Sequence, residues 1–309
     1  MGNAPGPGQH GSWLEGFRAG LGFELDRFQA DACSALEAGQ SVLVAAPTGS
    51  GKTVVGEFAV YLALQRGLKT FYTTPIKALS NQKFSDLGGR YGSGRVGLLT
   101  GDTAVRADAD AVVMSTEVLR NMLYAGTAAL DGLAYVVMDE VHYLADPLRG
   151  AAWEEVIINL PAQVQVVGLS ATVSNAEEFG AWLQSLRGGT AVVVSEHRPV
   201  PLRQHVMAGG EILDLFAAPV AFDELGQGTG TDAVLAGHRV NPHLLALAGA
   251  AAYRPGEGGP EQGRGRTRRF ERDRAARHGR SGRARPQLIQ RLGRQGLLPA
   301  ITFIFSRAG

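Results

Sequence analysis

The feature that most constrains this chain is one eight-residue loop, Ala46, Pro47, Thr48, Gly49, Ser50, Gly51, Lys52 and Thr53. An apolar run over residues 41–45 precedes it and a helical pattern over residues 53–65 follows, which is the setting of a phosphate-binding loop. The glycines allow the backbone to direct its N–H groups at phosphate oxygens. The next helix presents its positive end to the same anion. The loop therefore predicts a nucleoside triphosphate site.

Two side chains of this loop have predicted roles. Lys52 is expected to reach the β- and γ-phosphates, and the hydroxyl of Thr53 is expected to ligate Mg²⁺. The general motif begins with glycine, where this chain has Ala46. The alternative is a chance glycine-rich turn, but the Lys-Thr pair at the expected offset and the flanking strand and helix argue against it.

Apolar runs alternate with helical patterns between residues 23 and 195. Alternation of this kind predicts an α/β fold with a parallel sheet and helices on both faces. Ligands of such sheets bind at the carboxyl ends of the strands. The predicted strands are Val42–Ala46, Thr70–Thr74, Arg95–Leu99, Ala111–Ser115, Tyr135–Met138, Val164–Leu169 and Ala191–Val194.

An acidic pair ends one of these strands. Asp139 is predicted to hold the magnesium, directly or through water, and Glu140 to orient and polarise the attacking water. An acidic strand end that merely faces solvent is the alternative. His142 either couples hydrolysis to the rest of the site or simply packs, and the sequence leaves both open.

Two further segments are candidate parts of the site. Gln29 is predicted to read the adenine edge, because a side-chain amide both donates and accepts, and Phe23 to stack on the base. A helix start with a buried Phe28 is also expected there. After the strand that follows the acidic pair, small residues are predicted to report the nucleotide state to the acidic loop: Ser170, Ala171 and Thr172.

Composition narrows the class of protein. The 309 residues allow about two domains, and 45% apolar residues with a net charge of +1 are typical of a globular protein without a global basic surface. The single cysteine, Cys33, excludes an internal disulfide. No apolar run approaches a membrane span and the first residues lack a signal-peptide core, so a cytoplasmic location is expected.

The organisation along the chain is predicted in five parts. A flexible lead-in covers residues 1–22, an ATP-binding lobe 23–207 and an inter-lobe segment 208–253. Arginine and glycine dominate residues 254–285, which are interpreted as a solvated linker or, alternatively, as a basic arm that touches nucleic acid. A helix at Pro286–Gly296 and a strand at Leu298–Phe305 are expected to begin a truncated second lobe.

Together, four motifs resemble one known family. APTGSGKT, DEVH, LSAT and FELDRFQ, which begin at residues 46, 139, 169 and 23, look like the first motor lobe of a superfamily-two DExH-box helicase. The resemblance is to the superkiller and exosome-cofactor type, which includes bacterial HelY-like proteins. It implies a RecA-like lobe, ATP with Mg²⁺ as cofactors, and 3′-to-5′ translocation along single-stranded RNA. Arg27 stands where this family usually has proline.

The resemblance also assigns nucleic-acid contacts and a missing partner. It implies a grip on the sugar-phosphate backbone by Pro75, Lys77, Thr100, Gly101, Thr116 and Glu117. The arginine fingers belong to the second lobe in this family, so the chain alone is expected to be nearly inactive as an ATPase. Two alternatives stay open: a DNA repair helicase of the same superfamily, or a module that only binds nucleotide or nucleic acid.

Overall fold

An eight-stranded sheet organises the part of the chain that the computed structural model describes, which is residues 12–146, 150–171, 176–208, 211–217, 239–252 and 287–303. Its strand order is β4-β3-β5-β2-β6-β7-β1-β8, and every neighbouring pair is parallel except β3 with β4. The strands are β1 Ser41–Ala45, β2 Lys69–Thr74, β3 Val96–Thr100, β4 Thr103–Val105, β5 Ala111–Ser115, β6 Leu133–Met138, β7 Gln165–Ser170 and β8 Thr190–Val194.

Helices cover both faces of this sheet, as the alternation of apolar runs predicted. Strands such as β1 are buried along their whole length, which explains why they appear in the sequence as continuous apolar runs. The helices are α1 Trp13–Ala19, α2 Arg27–Glu37, α3 Thr53–Arg66, α4 Lys77–Tyr91, α5 Thr116–Ala125, α6 Gly150–Asn159 and α7 Ala176–Arg187. The predicted α/β fold with a RecA-like parallel sheet is therefore confirmed.

Two apolar cores lie on opposite faces of the sheet. One core packs side chains of α1, α2, α3 and α4 against the sheet, with Phe58 of α3 fully buried in it. The other core packs α5, α6 and α7, with Trp153 of α6 at its centre. Short 3₁₀ turns at Ala128–Leu130 and Val141–Ala145 flank β6. The two cores cover both faces of β6, in the middle of the sheet, and of β1, which lies beside the edge strand β8.

The first described segment differs from the predicted flexible lead-in. Residues 13–19 form α1, which buries Leu14 and Phe17. The Ser12 hydroxyl donates to Glu37 at the end of α2 at 2.8 Å, and the backbone N–H of Trp13 donates to the same carboxylate. Leu14 and Phe17 form a single i, i+3 pair, which is too short for a periodicity argument, so tertiary packing decides this helix. Residues 1–11 lie outside the described residues.

Beyond β8, the structure has a small antiparallel pair. It consists of β9 His205–Ala208 and β10 Glu211–Asp214. A helix over Pro242–Ala252 follows. No helix among the described segments is both long and apolar enough to cross a membrane.

Residues 248–309 form a second compact unit. A helix over residues 287–294 agrees with the helix predicted there. The predicted strand Leu298–Phe305 is wrong over residues 298–303, where Ile301 is 84% exposed and Phe303 73% exposed. Pro299 has no N–H to give to a strand ladder, and no described strand pairs with this segment. The predicted linker over 254–285 lies outside the described residues.

Candidate functional site

Strand order brings the predicted motifs to one edge of the sheet. β1 leads into the phosphate-binding loop, β6 into Asp139 and β7 into Ser170. β7 lies between the other two, with Ala45 opposite Ser170 and Met138 opposite Gly168. Because the three strands are parallel, their carboxyl ends meet at the same edge. Segments that lie far apart in sequence, the loop at residues 46–53 and the strand ends at Asp139 and Ser170, therefore come together at one edge.

The phosphate-binding loop has the backbone conformation that its glycines predict. Gly49 and Gly51 have φ angles of 86° and 84°, a region that side chains with a Cβ rarely adopt. No atom lies within 4 Å of a Cβ added at Gly49, so the loop leaves open space there. α3 begins at Thr53, directly after the loop, so the positive end of this helix lies beside the loop.

The polar groups of this loop fit an anion. The Lys52 ammonium donates to the carbonyls of Ala46 at 2.7 Å and Pro47 at 3.0 Å, and the side chain is 9% exposed. Burial lowers the pKa of Lys52, while the carboxylates of Glu140 and Asp139 oppose that change. The buried Ser50 hydroxyl has no hydrogen-bond partner among the described atoms. A phosphate would satisfy both groups.

Gln29 lies against the loop. Its amide NH₂ donates to the carbonyls of Gly51 at 3.1 Å and Ser50 at 3.4 Å, and its amide oxygen accepts the Asp26 backbone N–H at 2.9 Å. Gln29 is 3% exposed, so its amide is occupied in holding the loop to the start of α2. Phe23 is 55% exposed and free to stack on a base. Arg27 starts α2 without disturbing this arrangement.

Asp139 and Glu140 stand at the end of β6. One Asp139 oxygen accepts the Glu140 backbone N–H at 3.0 Å, and the other accepts the Tyr72 hydroxyl at 2.9 Å. Burial raises the pKa of Tyr72, so its hydroxyl keeps its proton and acts as a donor. Glu140 has a positive φ of 53°, which turns the chain sharply after the strand. Such strain is often found at functional sites.

The carboxylates of this pair differ in environment. Burial and the neighbouring Asp139 charge raise the pKa of Glu140, and one Glu140 oxygen accepts no hydrogen bond among the described atoms. A buried carboxylate with a free lone pair is suited to hold a water proton. The described residues contain no cluster of three or more metal-ligating side chains. The Asp139 carboxylate with the Thr53 hydroxyl is a donor set that fits Mg²⁺, because Mg²⁺ is commonly bound by one or two protein groups together with phosphates and water.

His142 connects this pair to the end of β7. Its Nδ1 accepts the Ala171 backbone N–H at 3.5 Å and lies 3.3 Å from a Glu140 oxygen. A nitrogen that accepts from Ala171 carries no proton for Glu140, so the two contacts compete. Ser170 is buried beside them. Thr172 lies outside the described residues.

The residues assigned to nucleic acid also reach this edge, at the ends of β2, β3 and β5, but their exposure differs. Lys77 is exposed and forms a short ion pair with Asp102, which also accepts the Thr100 hydroxyl at 3.0 Å. Gly101 is exposed, and Glu117 is half-buried. Pro75 and Thr116 are buried, so their side chains are not accessible to a nucleic-acid strand. Only backbone groups near them could contact it.

Sequence reasoning missed three residues of this edge. Tyr72 lies inside a buried strand, where the sequence pattern predicts that an aromatic residue only packs in the core. Asp102 follows Thr100 and Gly101, and an acidic residue beside a predicted phosphate contact was the available signal. Arg198 donates to the Thr48 carbonyl at 3.4 Å from 150 residues further along the chain, and no local pattern marks that contact.

Comparison with known proteins supports the same family. The DEAD/DEAH box helicase family matches residues 26–179, about half of the chain. "Probable helicase HelY" of Mycobacterium tuberculosis is 55% identical over 307 residues, covering 96% of this chain and 31% of that protein. Human "Superkiller complex protein 2" is 40% identical, covering 92% of this chain and 22% of that protein. "DExH-box ATP-dependent RNA helicase DExH15 chloroplastic" of Arabidopsis thaliana is 47% identical, covering 62% and 17%.

A solved structure agrees at the level of the fold. The "DUF1998 helicase MrfA" has a TM-score of 0.50 and 24% identity, covering 59% of this chain and 32% of that one. The chain spans a third or less of the length of each of these proteins. The motifs, the sheet and the relatives agree with the resemblance read from the sequence, and the chain belongs to the DEAD/DEAH box helicases, among relatives of the HelY and superkiller type.

Proposed function

We propose that this chain is the ATP-binding lobe of an ATP-dependent RNA helicase that couples hydrolysis to translocation along a single strand. One observation carries the proposal. The loop with Lys52 and the pair Asp139–Glu140 lie at the carboxyl ends of β1 and β6, on either side of β7. These ends supply the Lys52 ammonium, a Ser50 hydroxyl without a hydrogen-bond partner among the described atoms, and a Glu140 oxygen 3.3 Å from His142 Nδ1. Each of these groups has a use when a magnesium nucleotide binds.

The residues divide the chemistry among them. Lys52 exchanges its loop carbonyls for phosphate oxygens, and the N–H groups of the loop and of the α3 start hold the remaining phosphate charge. Thr53 and Asp139 would hold Mg²⁺, which neutralises charge on the phosphates when bound. Glu140 orients the attacking water and accepts its proton, since its environment raises its affinity for one.

His142 is the proposed link between the nucleotide and the rest of the lobe. Its Nδ1 chooses between the Glu140 carboxylate and the Ala171 N–H, and these belong to neighbouring strand ends. A change of charge at Glu140 therefore alters the hold on Ala171. Ser170 and Thr172 belong to the same proposed relay.

Single-stranded RNA is the proposed partner at the ends of β2, β3 and β5. Helix starts and tight turns there offer N–H groups to phosphates, with Lys77 as the added charge. Contacts of this kind grip the backbone and give little sequence preference. RNA is preferred over DNA because a relative 47% identical to this chain carries the name of an RNA helicase. We also propose that a second lobe completes the cleft, since the chain spans a third or less of the length of its relatives.

Nucleotide titration tests the proposal first. A fluorescent ATP analogue is titrated into the chain with Mg²⁺, and saturable binding is expected. ATPase rates of a chain that includes the proposed second lobe, measured with matched single-stranded RNA and DNA oligonucleotides, then separate the two partners. Absence of saturable nucleotide binding would overturn the proposal, and stronger stimulation by DNA would replace RNA with DNA.

A further inference from the structure

Tyr72 contacts the candidate magnesium ligand from inside the core. Its hydroxyl donates to one oxygen of Asp139 at 2.9 Å, across the parallel pair of β2 and β6. The other oxygen of Asp139 accepts the Glu140 backbone N–H. Each carboxylate oxygen therefore has one donor on the protein side, and these two donors together fix the plane of the carboxylate. Each oxygen keeps further lone pairs for another partner.

The Tyr72 ring is held in place by packing. It is 1% exposed, and a Cβ added at Gly56 of α3 would lie 3.1 Å from the ring. A glycine inside a helix costs stability relative to alanine, about 1 kcal/mol. Gly56 is fitted to the close approach of α3 to this ring. The hydroxyl consequently has one position, and it is set by α3 and β2 rather than by solvent.

A charged pair covers the ring on its outer side. The Lys83 ammonium of α4 lies 5.3 Å from the ring centroid and 3.8 Å from a Glu57 oxygen. Both side chains are largely shielded, at 11% and 18% exposed. The cation stays near the ring face, as expected for a cation–π contact. Tyr72 therefore lies between α3, α4 and the acidic end of β6.

We propose that Tyr72 is a positioning residue for Asp139 and so sets the affinity of the nucleotide site for Mg²⁺. The inference rests on the proposed function, because it takes Asp139 as the magnesium ligand. Donors that orient a ligating carboxylate typically change metal affinity by about 10–100-fold when removed. The Tyr72 ring is 1% exposed and its hydroxyl donates to Asp139, so Tyr72 acts through that carboxylate. Its effect is expected on Mg²⁺ and not on the nucleotide itself.

The test compares two tyrosine-to-phenylalanine variants in the full chain. Tyr72→Phe removes the hydroxyl that meets Asp139. Tyr135→Phe removes a hydroxyl from the neighbouring strand β6, where Tyr135 is also 1% exposed and accepts from Arg66 instead. Binding of a fluorescent ATP analogue is measured across a series of Mg²⁺ concentrations and again in excess EDTA. Neither measurement depends on hydrolysis.

For Tyr72→Phe we expect the Mg²⁺ concentration at half-maximal binding to rise about tenfold. Binding in EDTA should stay within about twofold of the wild-type chain, and Tyr135→Phe should match the wild-type chain in both conditions. An unchanged Mg²⁺ requirement, or an equal rise in both variants, would overturn the inference. If the wild-type chain itself shows no Mg²⁺-dependent binding, the proposed function fails instead.

A second variant keeps the test decisive if Tyr72→Phe does not fold. Gly56→Ala places a methyl group 3.1 Å from the ring, and also against Val137 and Leu169. We expect this crowding to displace the Tyr72 hydroxyl without removing it. We expect the Mg²⁺ requirement to rise several-fold in this variant also. A folded Gly56→Ala chain with the wild-type requirement would overturn the inference.

Discussion

The ammonium of Lys52 donates to the carbonyl of Ala46 at 2.7 Å, at the entrance of its own loop. The amine is thus partly desolvated and already placed beside the space that the glycines leave open. Its present partners are neutral carbonyls, which bind an ammonium less strongly than a phosphate does. A nucleotide therefore gains a charged partner at little cost in reorganisation.

Replacing Lys52 should weaken nucleotide binding. For Lys52→Ala we expect the dissociation constant of a fluorescent ATP analogue to rise about 10–100-fold, because a hydrogen bond to a charged group contributes about 1.5–3 kcal/mol. Lys69→Ala is the matched control, since Lys69 starts β2 at the opposite edge of the sheet and its ammonium meets the Ala129 carbonyl. Equal affinities for the two variants would contradict the assigned role of Lys52.

Replacing Glu140 should separate binding from hydrolysis. In Glu140→Gln, the amide keeps the shape of the side chain but accepts no proton, so ATP turnover by a chain that includes the proposed second lobe should fall by about 10²–10⁴-fold. Nucleotide affinity should stay within a few-fold of the wild-type value. Steady-state ATPase rates and nucleotide titration measure the two effects. Residual turnover near the wild-type rate would remove Glu140 from the reaction.

The same variant should be more stable at neutral pH. Burial raises the pKa of Glu140, so the ionised form is less favourable in the folded than in the unfolded chain. Stability that the protonated form contributes is lost as pH rises through the folded pKa. Glu140→Gln removes this loss. Urea denaturation should show a higher free energy of unfolding for the variant than for the wild-type chain at pH 7.5, and this difference should shrink toward pH 4. A difference that grows toward pH 4 would contradict a raised pKa of Glu140 in the folded chain.

Asp102 should limit the affinity for nucleic acid. Its carboxylate pairs with Lys77 and competes with a phosphate for the same ammonium. Asp102→Asn should tighten binding of a single-stranded RNA oligonucleotide by about three- to tenfold at low salt, measured by fluorescence anisotropy, and Lys77→Ala should reduce the salt slope by about 0.7. Asp31→Asn on α2, whose carboxylate faces Arg27, is the control. Weaker binding by Asp102→Asn would show that Asp102 supports the contact.

Removing Arg187 of α7 should lower the free energy of unfolding more than removing Arg27 of α2. Its guanidinium donates to the carbonyls of Leu160 at 2.6 Å, Pro161 at 2.6 Å and Val164 at 2.7 Å, which join the end of α7 to the start of β7. Burial lowers its pKa. Arg187→Ala leaves these carbonyls without their donor, and we expect a loss of about 2–4 kcal/mol in the free energy of unfolding.

The comparison variant for Arg187 is Arg27→Ala. The Arg27–Asp31 pair lies on the surface, with side chains 96% and 61% exposed, and such pairs contribute about 0–1 kcal/mol. Denaturant titration of the two variants should therefore give clearly different midpoints. Similar midpoints would mean that hydrogen bonds from water to the three carbonyls replace those from Arg187 without loss of stability.

The sequence predicted most of the sheet because its central strands are buried on both faces. Val42–Ala46 and Ala111–Ser115 match the structure to within a residue, since nothing but an apolar run fits there. α1 was missed because its two buried side chains are packed by α2 and α3 rather than marked by a period. The predicted strand at Leu298–Phe305 failed for the converse reason, because a strand exists only with a neighbour to pair with.

The candidate site was predictable where chemistry is local and hidden where it is shared across the fold. The glycines and Lys52 lie in one loop, so spacing alone identifies them. Tyr72 and Asp102 act through partners that only the sheet order and the loops bring close. The nucleic-acid contacts at Thr116 and Pro75 stay predictions, and a motif position does not reveal that their side chains are buried.

Both the oxygen and the NH₂ group of the Gln29 amide form hydrogen bonds with backbone groups of the chain itself. Before that amide could recognise the edge of any base, it would have to release Gly51, and the loop would lose a brace at its tightest bend. Choosing among purines is thus tied to how firmly the triphosphate is gripped. Variants at Gln29 should therefore change base selectivity and triphosphate affinity together. A shift in base preference in such a variant must be interpreted alongside its change in triphosphate affinity.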